Sequence, residues 1–253
     1  MNRYKLIISY DGTKYYGWQG QKELPSVAAT LESSFQKVFH HAISIRGASR
    51  TDAGVHALGQ VATFKTELAI DTEQLKHAWN NRLHSDIVIR SIEQVALDHN
   101  IYANIAHKTY YYHFFLERPL PFLKNFGWYL DKPVDIEKLK TGLQTFVGTH
   151  DFKSFCSSED TRENTIRTIE SIQVTYIKRF GVYRIAVTGP AFLRHMIRRI
   201  VGAALTVAYQ HNTPISALKE ALEKKNPVQI LPNAPAHGLL LYKIKYRNHH
   251  EQK

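Results

Sequence analysis

The chain has 253 residues, with 33 Lys and Arg against 22 Asp and Glu, and its net charge of +11 points to nucleic acid as a partner or to a basic enzyme with a solvated surface. A single cysteine, Cys156, excludes an internal disulfide and argues against a cysteine-built zinc site; the fourteen histidines show no HExxH or comparable spacing, so neither a metal nor a cofactor is expected. No apolar run reaches membrane-spanning length, and the opening "MNRYKLIISY" alternates like a strand and not like a signal peptide, so a cytoplasmic protein with no membrane contact is expected.

In chain order, residues 4–10, "YKLIISY", alternate as a strand, and residues 26–41 set Val27, Leu31, Phe35, Val38 and Phe39 on one helical face behind Ser26 as N-cap. Short strands are predicted near 43–46 and 58–65, joined by "GASRTDAGVHA" at 47–57. From Asp71, a carboxylate cap with Gln74 at the capping-box position, the spacing of Leu75, Trp79 and Leu83 predicts a second helix, and 87–95 closes the half as a strand. That order, β-α-β-β-α-β, is the split βαβ or ferredoxin-like motif.

The second half repeats the order with insertions: strand 109–116, helix 135–147 ended by Gly148, strands 165–178 and 182–188, helix 191–208, a short helix from Pro214 and a closing strand at 238–246. The predicted class is α+β, with two ferredoxin-like (βαββαβ) units, joined antiparallel sheets and a central active-site cleft. The N-terminal unit spans 1–105, the C-terminal unit 106–246, and 247–253 is expected to be a frayed tail.

The connection 47–57 holds one carboxylate, Asp52, among small residues. Gly47 and Gly54 permit sharp turns and close approach of a ligand. A plain hairpin loop with Asp52 capping local N–H groups is the simpler reading, but such a turn uses only a few of these eleven residues. His56 suits a loop-bracing hydrogen bond better than general-base duty.

"GASRTDAGVHA" resembles the signature of the tRNA pseudouridine synthase A (TruA) family. So do "YDGTKYYGWQGQ" at 10–21, "KTYYY" at 108–112, "GTHDFKSF" at 148–155, "FLRHMIRRIVGA" at 192–203 and "APAHGLLLYKIKY" at 234–246. The resemblance covers nearly the whole chain. It implies an isomerase that converts uridine to pseudouridine at positions 38, 39 and 40 in the anticodon stem-loop of tRNA, and a homodimer. It implies Asp52 as the catalytic aspartate, Tyr110 as the active-site tyrosine, Arg198 as the basic partner of that aspartate, and Arg50 as the arginine that helps displace and hold the target nucleotide.

Spacing alone reads two of these differently. On a helix 191–208, Arg194 and Arg198 stand four apart on the polar side, as in a solvated or phosphate-binding stripe; Arg194 and Arg199 are the candidates for tRNA backbone contacts. Alternation sends Tyr110, Tyr112 and Phe114 to one face of their strand and Tyr111 and His113 to the other, as in an ordinary aromatic core strand. His195 is read as a packing or RNA-contacting residue.

Five positions depart from the family pattern: Ala28 in place of a glutamine, His84 in place of a proline, Ile101 and Tyr102 in place of Ala-Arg, and Ser49 in place of a frequent glycine. The change at Tyr102 removes an RNA-contacting arginine and bears on affinity or substrate range. A non-catalytic RNA-binding protein would share the charge and the aromatics without a reason for "RTDAGVHA". A glycoside or nucleoside hydrolase would want two close carboxylates where the motif has one.

Overall fold

The computed structural model describes residues 1–19, 24–226 and 232–247. Its first elements are β1 (Asn2–Tyr10), α1 (Val27–Phe39), β2 (Arg46–Gly47), β3 (His56–Thr66), α2 (Thr72–Asn80) and β4 (Ile87–Val95). There follow β5 (Ile105–Phe115), β6 (Trp128–Tyr129), α3 (Ile136–Gln144), β7 (Gly148–Asp151), β8 (Ile166–Ile169), β9 (Ser171–Ile177) and β10 (Val182–Gly189). The chain ends in α4 (Met196–Tyr209), α5 (Ser216–Glu223) and β11 (Leu239–Tyr246). The class is α+β, as expected. Residues 20 and 21 of the opening block, His249, His250 and nearly all of the expected tail lie outside the described residues.

Two compact units form, one of Met1–Ala106 with the C-terminal strand from Leu240, the other of His107–Leu239. In the first, β1 lies between β3 and β4, antiparallel to both, with Leu6 opposite Ala62 and Ile92. Alternation places Tyr4, Leu6, Ile8 and Tyr10 inward, where α1 buries Val27, Leu31 and Phe35 and α2 buries Leu75 and Trp79. The rings of Phe35, Phe64 and Trp79 meet edge to face, and the Trp79 indole N–H donates to Ser34 Oγ at 2.8 Å, which satisfies its one polar atom in the core.

Two features of this unit depart from expectation. The strand sought at 43–46 is reduced to Arg46–Gly47, because Ile45 N donates to the Glu32 carboxylate and not to a neighbouring strand. The closing strand, placed by sequence order in the C-terminal half, pairs with β3 in parallel through Leu240–His56 and Leu241–Ala57, so the sheet is mixed and not purely antiparallel. Hydrophobic alternation identifies a strand; it does not say which edge the strand joins.

In the second unit β10 lies between β5 and β9, antiparallel to both, with Ile185 opposite Tyr112 and Val174. The strand expected over 165–178 is two: β8 pairs with β7 as a separate ribbon, and the chain then crosses to β9 as Glu170 N donates to Thr188 O at 2.8 Å. Helix α3 stops at Gln144, and Gly148, with φ +109°, opens β7 instead of ending the helix. Leu139 and Leu143 of α3 and Met196, Ile200, Val201 and Leu205 of α4 fill the core beside the sheet.

Candidate active site

The loop carrying Asp52 is fixed by partners on both sides. Ala48 N donates to Val61 O at 2.8 Å. Beyond that rung Gln60, fully buried, takes over: its amide donates to Ser49 O at 2.6 Å and accepts from Ser49 N at 3.3 Å. Thr51 Oγ1 lies 2.7 Å from the Tyr10 hydroxyl, and Thr51 O accepts from Trp18 N at 3.1 Å. Asp52 O accepts from Val55 N, closing a turn in which Gly54 takes φ +77°, and Gly54 N donates to Tyr15 O.

His56 ends the motif as a brace, as expected. It is 2% exposed, and its Nδ1 lies 3.0 Å from Gly12 N and 3.1 Å from Asp11 Oδ1. Two glycines allow the close fit. A Cβ at Gly12 would stand 2.1 Å from Val55 O, and one at Gly17, whose φ is +94°, would stand 2.7 Å from Thr51 O. The segment from Tyr10 to Trp18 is therefore a collar around the loop. Asp52 sits within it half-buried, and Arg50, two residues earlier, is exposed.

Tyr10 and Trp18 belong to the block at 10–21 but carry no role there from sequence, and Gln60 lies in no motif, yet one signal was available. A glutamine on a strand otherwise as apolar as "VATF" is a buried polar group, and such groups are there to hydrogen-bond. Gln60→Leu is expected to remove both bonds between the buried amide and the Ser49 backbone and to lower stability by roughly 1–3 kcal/mol, read as a lower midpoint of urea unfolding.

In the second unit Tyr110 and Tyr112 are buried on one face of β5 as alternation predicts, while Tyr111 is half-buried on the other with the Arg184 guanidinium 4.6 Å from its ring centre. Phe192 meets Tyr110 edge-on, with ring centres 5.4 Å apart. Lys108, two residues before Tyr110 on that face, is pushed down to about 8 by burial. Burial holds the Tyr112 phenol well above its ordinary pKa, opposed in part by the charge of Arg198.

Arg198 does not belong to a solvated stripe. It is half-buried; its Nε donates to Ala234 O at 2.8 Å, Ala234 N donates back to Arg198 O at 3.1 Å, and the Tyr112 hydroxyl donates to Pro235 O at 3.0 Å. Arg194 lies outside the helix altogether. The expected start at 191 moves to Met196 because His195 takes a left-handed conformation, φ 63°, which ends any continuous turn before it. Arg194 is exposed, with Nη1 2.5 Å from Glu159 Oε2 and its backbone N donating to Asp160, a carboxylate held at about 2 chiefly by its hydrogen bonds from Arg162. Arg199 is half-buried.

Among the described residues no group of three or more His, Cys, Asp or Glu is arranged to hold a metal ion, and no helix is long and apolar enough to cross a membrane.

Comparison with known proteins follows the same residues. The family model described as tRNA pseudouridine synthase matches residues 6–102 and 143–247. The tRNA pseudouridine synthase A of Pseudothermotoga lettingae is 36% identical over 249 residues, covering 97% of this chain and 100% of that protein. That of Thermodesulfovibrio yellowstonii is 36% identical over 254 residues, covering 96% and 98%. The crystal structure of an archaeal box H/ACA Nop10–Cbf5 complex aligns with 82% of this chain and 54% of its own, at a TM-score of 0.34 and 13% identity, too remote to inform the site.

Proposed function

The chain belongs to the tRNA pseudouridine synthase family and isomerises uridine to pseudouridine in tRNA; from that premise we propose that its target uridines lie in the anticodon stem-loop, that Asp52, Tyr110 and Arg198 carry the chemistry, and that it works as a cytoplasmic homodimer. The reaction breaks the C1′–N1 bond, forms a C1′–C5 bond, releases the C5 proton to solvent and returns a proton to N1. Nothing is oxidised or reduced. An ionised carboxylate is the one reactive group required, whether it adds to C6, adds to C1′ or removes the 2′ proton, and a single Asp52 supplies it.

The observation that carries this reading is the fixed Asp52 backbone. Bonds from Tyr10, Tyr15, Trp18 and Gln60 hold the loop, so the backbone that carries the carboxylate is in place before substrate arrives and little is lost to ordering it. A uridine stacked in a stem is out of reach, so the base must leave the stack. Exposed Arg50 is proposed to fill and hold the displaced position, Tyr110 to stack on the extruded uracil and handle its proton, and Arg198 to keep the carboxylate charged and oriented. Arg194 and Arg199 are proposed as contacts to tRNA phosphates; for Arg194 this requires exchanging its exposed partner Glu159 for the phosphate, an exchange that costs little at a solvated pair.

Incubation with unmodified tRNA transcripts, followed by carbodiimide labelling of pseudouridine and reverse transcription, tests the assignment. Stops are expected within the anticodon arm. Stops elsewhere with none in that arm would overturn the proposed position.

A further inference from the structure

The turn between β4 and β5 holds an aromatic side chain outward at the rim of the Asp52 loop. Its backbone is tied down: Tyr102 N donates to Asn100 Oδ1 at 2.9 Å, Ala103 N to Asn100 O at 3.1 Å, and the Tyr246 hydroxyl to Ile101 O at 2.8 Å. Ile101 is buried beneath, while Tyr102 is 58% exposed. An exposed tyrosine ordinarily sweeps freely. Here the hydroxyl donates to Gly47 O at 3.1 Å, which pins the ring at its far end as well. Gly47 is itself paired with Ala62 of β3, and the Trp18 indole packs where a Cβ would stand. Exposed Arg46 precedes this glycine and exposed Arg50 follows three residues later.

A largely exposed ring tied at both ends, bonded to a glycine that exposed Arg46 and Arg50 flank in sequence at the start of the loop that carries Asp52, is preorganised to receive a flat apolar partner on a polyanionic chain. Base stacking on such a ring needs no ordering of the side chain at the moment of binding. Resting on the proposed function, we propose that Tyr102 is a stacking platform for a tRNA base other than the uridine being isomerised, and that it contributes to affinity and not to turnover.

The test compares Tyr102→Leu and Tyr102→Phe with the natural protein in two measurements. One is tRNA affinity by filter retention over a salt series, which needs no catalysis; the other is steady-state pseudouridine formation. Tyr102→Leu is expected to raise Kd and KM about tenfold, with kcat unchanged and the slope of log Kd against log salt unchanged, because no phosphate contact is lost. Tyr102→Phe keeps the ring and is expected to stay within about threefold, the loss of one exposed hydrogen bond. Unchanged Kd in the leucine variant, a fall in kcat, or a salt slope smaller by about one unit would each overturn the platform. If the natural protein formed no pseudouridine while the leucine variant still bound about tenfold more weakly, the platform would stand and the proposed reaction site would fall.

Discussion

Asp52→Asn is expected to lower pseudouridine formation at least about 10³-fold while tRNA affinity stays within about twofold of the natural protein. The substitution is nearly isosteric. The bonds that shape the loop at this residue run through its backbone, from Val55 N to Asp52 O, and through its neighbours Thr51 and Gly54, so they survive it. What is lost is the negative charge and the basic, nucleophilic oxygen. A neutral amide can neither add to the uridine nor remove a proton from it, and no second carboxylate lies within the motif to take its place. Affinity persists because it comes mainly from phosphate contacts of a chain with net charge +11. Single-turnover kinetics with filter retention on the same tRNA separate the two quantities. Turnover within tenfold of normal would remove Asp52 from the chemistry.

Arg198→Met is expected to reduce turnover roughly 10²-fold with the salt dependence of tRNA binding unchanged. Methionine keeps much of the aliphatic stem but loses the guanidinium, and with it both the bond to Ala234 O and the cation beside the Tyr112 phenol. The structural part of that loss is about one hydrogen bond, on the order of 1 kcal/mol, and thermal unfolding measures it directly. The functional part is larger, since the proposed role of Arg198 is to hold the Asp52 carboxylate ionised and aimed. Arg198→Lys sharpens the reading: a lysine restores the charge without the planar fork and should recover only part of the activity. Normal turnover with a salt slope reduced by about one unit would instead return Arg198 to the phosphate contacts that its helical spacing suggested.

What the sequence makes legible is the local chemistry. Ser26 caps α1 with its Oγ accepting from Ala29 N, Asp71 caps α2 by accepting from Glu73 N and Gln74 N, and the aromatic strand buries Tyr110, Tyr112 and Phe114 together. In each case periodicity and a capping side chain lie within a few residues of one another. Distant partners are not legible in this way. Tyr10 reaches Thr51, Gln60 reaches Ser49 from the next strand, and β11 returns from the end of the chain to β3; each depends on which strands become neighbours, and that is decided by the fold. The start of α4 failed for a backbone reason. "FLRHMIRRIVGA" carries an unbroken helical pattern, but His195 is left-handed, a conformation that side-chain type alone rarely announces for histidine. The resemblance in sequence named Asp52 from the motif; the collar of Tyr10, Trp18 and Gln60 gives the physical reason that motif arrives with "YDGTKYYGW" ahead of it.

The most direct measurement is tritium release from tRNA labelled at uridine C5, run side by side with the natural protein and Asp52→Asn. Bond exchange at C5 sends that hydrogen to water, so the natural protein is expected to release label in step with pseudouridine formed, with no free uracil, while the variant releases none above background. Binding of tRNA without release, or release of free uracil, would contradict a uridine isomerase built on Asp52.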